Sequence, residues 1–328
     1  MIAREGAVDF LASAGWAGAD VVPLAGDASF RRYFRVTDRS RHAVLMDAPP
    51  EHEDVRPFIR VADFLVSAGF SAPRIIASDL VQGFLLIEDF GDRLLGPVLA
   101  GEPQLEDDSY ASAVSLLAEL HRLPPPADLP PYDREVLARE VLLFPHWYAK
   151  AAGIDVDEKA YLAAWDQVWA DVLAETAARP VVTLRDYHAE NLILLADRPG
   201  VRGLGLLDFQ DALAGHPAYD LVSLLQDARR DVSPRLERDM LGHFAEAAGV
   251  ADPARFRAGY EVLGAQRNVK ILGIFVRLRD RDGRSGYVER LPRVWGYTER
   301  NLAHPALAPV RAWFDAHVPA PLRAAWCR

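Results

Sequence analysis

The texture of this chain changes once, near Glu88-Asp89-Phe90-Gly91-Asp92, and that change limits the folds open to it. Upstream, short apolar or alternating segments are broken by turn residues. Residues 30–36 set Phe30, Arg32, Phe34 and Val36 against Arg31, Tyr33 and Arg35, an imperfect form of the strand period. Residues 43–46 form a short apolar strand closed by Pro49 and Pro50, and 74–77 and 83–87 predict two more. A short helix is expected over 7–15, ending at Gly15. An amphipathic helix is expected over 56–68, with Phe58, Val61, Ala62, Leu65 and Val66 on one face and Gly69 as its stop. Downstream the pattern is helical over 110–121, 134–150, 157–179, 236–248, 253–278 and 306–317. Only residues 181–208 interrupt it with strand-like sequence. The expectation is an α+β fold of two lobes. A small antiparallel-sheet lobe would span 1–90, with a hinge at about 88–92, and a larger, mostly helical lobe 91–328. The proline cluster at 124–131 reads as a loop, and no internal repeat appears.

A net charge of −10 argues against nucleic acid or an anionic membrane surface as the main partner, since both require a basic face. The single cysteine, Cys327, leaves no internal disulfide possible. The first residues lack the pattern of a signal peptide, and no apolar run approaches a membrane span, so the expected place is the cytoplasm. The sequence does not set the oligomeric state.

Chemistry concentrates in the strand-like interruption. Asp186 and Asn191, spaced Asp-x4-Asn, are followed by Asp208 at the end of the apolar run Leu204, Leu206, Leu207. An acid able to accept a hydroxyl proton, with an amide and a second acid able to offer hard oxygen ligands, is the minimum set for Mg2+-dependent phosphoryl transfer from ATP. Asp186 is the candidate base, and Asn191 and Asp208 are the candidate metal ligands. Taken singly, Asp and Asn cap turns more often than they catalyse. The apolar strand before Asp208 and the sheet-rich segment upstream give the set its weight.

On these residues the chain resembles the aminoglycoside phosphotransferase superfamily, small-molecule kinases built on the protein-kinase fold. Leu184-Arg185-Asp186 stands where that family has His-Gly-Asp, and Leu207-Asp208-Phe209-Gln210-Asp211 matches its second acidic motif. Pro217-Ala218-Tyr219-Asp220-Leu221 is similar to its Asp-Leu helix, whose acid buttresses the catalytic loop; Asp220 is equally a good acid for a helix N-terminus. Four further segments resemble the bacterial anomeric kinases of N-acetylmuramate and N-acetylglucosamine within that superfamily. They are Gly26-Asp27-Ala28-Ser29-Phe30-Arg31-Arg32-Tyr33, Met46-Asp47-Ala48-Pro49-Pro50-Glu51, Phe144-Pro145-His146-Trp147-Tyr148 and residues 266–275. The resemblance implies ATP and Mg2+ as cofactors, attack by the anomeric hydroxyl of an amino sugar, and a place in cell-wall recycling. It also implies that the backbone of Glu88 and Phe90 meets adenine.

The departures are informative. Of 37 basic residues three are lysines, Lys150, Lys159 and Lys270, so the first lobe cannot supply the lysine with which protein kinases hold the ATP phosphates. Met46 occupies the matching strand position. Arg31 and Arg32, at the tip of the hairpin, are the candidate replacements, because arginine clamps phosphate bidentately. Successive N–H groups at Asp27, Ala28 and Ser29 would add an anion nest. The residues leave two readings open, an active kinase anchored by arginine and an ATP-binding module without turnover; the complete Asp186, Asn191, Asp208 set favours the first. Leu184 in place of histidine puts the rigidity of the loop in question. At the substrate end, His188 lies two residues beyond Asp186, and Trp147 is suited to stack on a sugar face. Asn268, Lys270, Arg277 and Arg279 make a basic stripe able to hold a lactyl carboxylate. Against these stand loop packing for His188, the core for Trp147, and ion pairs with Asp280 and Asp282 for the stripe. The stripe argues against a polycationic aminoglycoside as substrate.

Overall fold

The structure is a computed structural model and describes residues 3–24 and 30–325. Among the described residues the strands are β1 Asp20–Pro23, β2 Arg32–Asp38, β3 Arg41–Asp47, β4 Ile75–Asp79, β5 Phe84–Glu88, β6 Val181–Thr183, β7 Leu192–Leu194, β8 Leu204–Leu206 and β9 Leu213–Gly215. They form a five-stranded antiparallel sheet of order β1-β2-β3-β5-β4 and two separate pairs, β6 with β9 and β7 with β8. The chain divides into two compact units. The first holds the described residues up to Gln104 together with Glu190–Asp211, and the second holds Leu105–Ala189 and the described residues from Ala212 onward.

In the first unit, period-2 alternation builds the core. Phe34 and Val36 of β2, Ala43 and Leu45 of β3, and Phe84 and Leu86 of β5 pack with Ala7, Phe10 and Leu11 of the helix Ala7–Ser13 and with Trp16. Phe10 stacks on Phe84 with ring centroids 5.6 Å apart. On β3 and β5 the intervening residues Val44, Met46, Leu85 and Ile87 are buried too, as expected of central strands covered on both faces. The register sets Arg32 opposite Asp47 and Tyr33 opposite Met46. Strand β1 is an exposed edge, and its last residue, Pro23, has no N–H to offer a further strand.

The β7–β8 hairpin belongs to this unit although it lies a hundred residues downstream of the sheet. Leu206 N–H donates to the Ser71 carbonyl at 2.7 Å, and Leu194 N–H to that of Arg93 at 2.9 Å. A Cβ on Gly205 would lie 2.5 Å from Ile193 Cγ2 and 2.7 Å from Phe90 Cδ2, so only glycine lets the hairpin lie this close.

The second unit is helical around Pro253–Asp280, 28 residues long and buried along most of its middle. Small residues let its neighbours approach: Gly264 faces the Asn301 side chain and Gly273 the Leu143 carbonyl. Asp157, Ser233 and Asp252 each cap a helix by accepting a backbone N–H. Residues 134–150, expected as one helix, are not one. The α-helix Arg134–Val141 ends and a π-helical turn follows over Phe144–Ala149. Pro145 has no N–H for the regular ladder, so the bonding shifts register there. The strand β1, with four exposed residues, and the helices Leu95–Gly101 and Leu291–Leu302, which contain prolines near their starts, were not expected from the sequence.

Substituting Gly205→Ala is expected to destabilise the chain by about 1–3 kcal/mol through overpacking. Gly242→Ala, on the helix Pro234–Ala248 with nothing within 4 Å of the new methyl, is expected to stabilise it by about 0.5–1 kcal/mol. Urea unfolding of both variants beside the parent checks the contrast; equal effects would contradict the packing described.

Candidate active site

In the first unit, Asn191 and Asp208 are brought to one end of the β7–β8 hairpin. Leu192 pairs with Leu206, and beyond that pair Leu207 N–H donates to the Asn191 carbonyl at 3.0 Å. Asp208 follows at once, with φ at 57°, a conformation uncommon for a residue with a side chain. Phe209 is buried and stacks on Phe58, ring centroids 4.9 Å apart, which anchors the turn. Gln210 Nε2 donates to Asp208 Oδ1 at 2.9 Å, and the Asp208 side chain keeps 43% of its surface exposed. A partly exposed carboxylate suits a hard cation. Among the described residues no cluster of three or more His, Cys, Asp or Glu forms a closed metal cage. Mg2+ needs no such cage, since it is held by one or two protein oxygens together with water and substrate phosphates.

The two candidate phosphate anchors differ sharply. Arg32 Nη2 donates to Asp47 Oδ2 at 2.7 Å, and Arg4 Nε donates to the other oxygen at 2.6 Å; Asp47 is fully buried. Arg32 is therefore engaged in holding the end of β3. Arg31 Nη2 lies 3.4 Å from Asp208 Oδ1, a looser contact at the hairpin end. Met46, the position matching the absent lysine, is fully buried in β3. Glu88 accepts from Arg74 and Arg198, and its own N–H donates to the Arg74 carbonyl at 2.9 Å; the Arg198 guanidinium lies over the Phe90 ring. Asp27, Ala28 and Ser29 lie outside the described residues.

In the second unit, Asp186 follows a residue gripped from two sides. Leu184 N–H and Arg185 N–H donate to Asp220 at 2.6 and 2.8 Å, and Arg185 adopts φ 72°. Asp220 sits in the first turn of the helix Ala218–Leu225, and burial pushes its carboxyl up to about 7 while the two N–H bonds pull the other way. The Arg185 guanidinium donates to Glu140 at 2.5 Å. Glu140 is buried and also accepts from Tyr132 Oη, Gln266 Nε2 at 2.8 Å and Lys270 Nζ at 2.9 Å. Tyr187 is buried, and its hydroxyl donates to the Ala113 carbonyl at 2.8 Å. The loop around Asp186 thus has its neighbours fixed before and after it. No histidine is needed at Leu184, which is itself buried.

The structure sorts the substrate-end candidates. Lys270 holds Glu140 and the Tyr219 hydroxyl and lies within electrostatic reach of Asp186. Asn268 is buried, donating to Gln226 and Asn301. His188 is buried too, and burial, with Arg229, Arg267 and Arg290 nearby, depresses its pKa well below the ordinary value. Trp147 is half-buried in the π-helical turn. Arg277 is half-buried, and burial, with Arg281 nearby, lowers its pKa; Arg279 pairs with Asp280 at 2.6 Å. The stripe therefore divides: Lys270 lies near Asp186, Asn268 is bonded into the core, and Arg277 and Arg279 lie in the last turn of the helix. Sequence reasoning missed Asp47, Arg4 and Glu140. Polar Gln266 and Lys270, four apart on an otherwise apolar helix, were the available sign that a buried acid must face them.

Burial raises the Glu140 carboxyl, but Lys270 and Arg185 overcome it and hold it at about 2, below its ordinary 4.5. The stability this acid contributes is complete above pH 4.5 and is lost as pH falls towards about 2. Glu140→Gln is expected to cost about 3 kcal/mol near neutral pH and to flatten the loss of stability on the acid side. Urea unfolding as a function of pH checks both, and an unchanged acid limb would contradict the assignment.

The model of the phosphotransferase enzyme family matches residues 20–258. The N-acetylmuramate/N-acetylglucosamine kinase of Caulobacter vibrioides is 36% identical, over 96% of this chain and 96% of its own length. That of Pseudomonas aeruginosa is 39% identical, over 88% of this chain and 86% of its own. Among solved structures, a choline/ethanolamine kinase family protein from Mesorhizobium loti has a TM-score of 0.60 at 16% identity, over 94% of this chain and 96% of that one. The ADP-bound aminoglycoside phosphotransferase APH(2'')-Ib has a TM-score of 0.56 at 14% identity, covering 86% of this chain and 94% of its own. At these identities the structures speak for the fold, which is the protein-kinase-like α+β fold the sequence led us to expect. With the match running from the sheet through the catalytic loop into the long central helix, the chain belongs to the phosphotransferase enzyme family.

Proposed function

We propose that this chain is a sugar kinase that transfers the γ-phosphoryl group of ATP to the anomeric hydroxyl of N-acetylmuramate and N-acetylglucosamine, giving the sugar 1-phosphate. Relatives named N-acetylmuramate/N-acetylglucosamine kinase match it over most of both chains. The observation that carries the mechanistic reading is the hairpin end that pairs Asn191 with the approach to Asp208, with Arg31 at 3.4 Å from the acid. The expected setting is the cytoplasm, in recycling of cell-wall sugars.

In this reading Asp186 orients the sugar hydroxyl and accepts its proton. The new bond forms between the sugar oxygen and Pγ, the bond from Pγ to the bridging oxygen breaks, and ADP leaves with the electron pair. Asn191 and Asp208 supply oxygens suited to Mg2+, which when bound offsets the negative charge of the phosphates. Asp220 and Glu140 hold the residue before the base, so Asp186 meets the hydroxyl without reorganising. Arg31, rather than Arg32, takes the place of the absent lysine. It lies beside Asp208, where the phosphates would come, whereas Arg32 would have to abandon a buried carboxylate. Glu88 and Phe90 offer backbone to adenine, and His188 and Trp147 border the sugar.

ATP consumption measured against N-acetylmuramate, N-acetylglucosamine, their 1-O-methyl glycosides and kanamycin tests the assignment. Turnover is expected with the two free sugars alone, and Asp186→Asn is expected to lower it by about a hundredfold or more. Activity on the blocked glycosides would overturn the anomeric assignment, activity on kanamycin alone the substrate class, and ATP binding without turnover the enzyme itself. Arg31→Ala is expected to raise the KM for ATP by about tenfold and leave stability nearly unchanged. Arg32→Ala is expected to lose about 3 kcal/mol of stability by stripping a partner from buried Asp47. The reverse pattern in steady-state kinetics and urea unfolding would exchange their roles.

A further inference from the structure

One buried cation in the second unit keeps a guanidinium nitrogen without a hydrogen-bond acceptor. Arg267, on the helix Pro253–Asp280, is 4% exposed. Its Nη1 is shielded from solvent and has no hydrogen-bond acceptor among the described residues. The donors of its neighbours on the same helix go elsewhere: Gln266 and Lys270 donate to Glu140, and Asn268 to Gln226 and Asn301. A guanidinium carries five N–H donors and stays charged at any pH a cell meets. Burying one of its N–H groups without an acceptor is unfavourable, and such an arrangement is a candidate for completion by a ligand.

Its surroundings indicate the ligand. Arg267 lies within electrostatic reach of His188, two residues beyond Asp186, and of Asp220, which grips the catalytic loop. Arg229 and Arg290 bear on the same His188, so positive charge converges on this side of the loop. Two acids are in reach, and both accept backbone N–H groups. Asp220 accepts from Leu184 and Arg185, and Asp227 Oδ1 accepts from Arg229 N–H at 2.8 Å, while its Oδ2 has no hydrogen-bond donor among the described residues. Three arginines thus face two acids near the proposed base, an excess of positive charge on this side of the loop. The two proposed sugars differ in one group: N-acetylmuramate carries a lactyl carboxylate that N-acetylglucosamine lacks.

We propose that Arg267 binds the lactyl carboxylate of N-acetylmuramate and is the residue that distinguishes this sugar from N-acetylglucosamine; the inference rests on the sugar-kinase reading above. The fork geometry of the guanidinium matches a carboxylate, and a charge-assisted pair formed away from water is a strong one. N-acetylglucosamine would bind without it, leaving Arg267 as it stands here.

The experiment compares steady-state constants of the parent, Arg267→Met and Arg267→Lys on both sugars at saturating ATP. Arg267→Met is expected to raise the KM for N-acetylmuramate by about tenfold or more, and that for N-acetylglucosamine by less than about twofold. Arg267→Lys is expected to recover part of the loss, since it restores charge without the fork. Turnover of N-acetylglucosamine by the same samples reports that the variants are folded. An equal rise in KM for both sugars would overturn the proposal in favour of a structural role. A loss of kcat on both would overturn it in favour of contact with the transferred phosphoryl group. If the parent turned over neither sugar, the functional reading itself would fall, and this inference with it.

Discussion

The grip on Arg185 is the constraint on which the catalytic half of the molecule depends. Asp220 holds the backbone on either side of the Leu184–Arg185 peptide, and Glu140 holds the Arg185 guanidinium. Together they stabilise a left-handed backbone conformation that an arginine would not adopt alone. Glu140 in turn would be untenable as a buried charge without Lys270, Gln266 and the Tyr132 hydroxyl. A single long helix thus supplies two of the groups that neutralise the acid holding the loop. The backbone before Asp186 is held by hydrogen bonds and a charge pair, with no histidine at position 184.

The first unit shows a parallel division of labour. Arg32 and Arg4 complete a buried acid at the end of β3, and the β7–β8 hairpin docks on Ser71 and Arg93 through backbone bonds. Those contacts are structural, and they set Arg31 and Asp208 together at the hairpin end. Arg32 and Lys270 are each held by a buried carboxylate and belong to the scaffold.

Much of the fold was legible because apolar periodicity reports burial directly. The sheet strands and most long helices appeared where alternation and amphipathicity placed them, and Asp186, Asn191 and Asp208 stood out by type and spacing. Other features depended on information that no linear pattern carries. The docking of residues 190–211 with the sheet is set by hydrogen bonds to Ser71 and Arg93 across more than a hundred positions. Residues 134–150 read as one helix, yet at Pro145 the bonding passes into a π-helical turn. Adjacent Arg31 and Arg32 look equivalent in sequence and are separated by pairing register, which sets only Arg32 opposite Asp47. The basic stripe was read as one surface, whereas burial splits it and draws in Arg267, which composition alone did not single out.

The central claim is that phosphoryl transfer occurs at the anomeric oxygen, and the product itself reports on it. Phosphorus NMR of the material formed from ATP and N-acetylmuramate is the most direct measurement. A new phosphomonoester whose phosphorus couples to the anomeric proton is expected. Inorganic phosphate alone, or a phosphomonoester coupled to any other sugar proton, would contradict it.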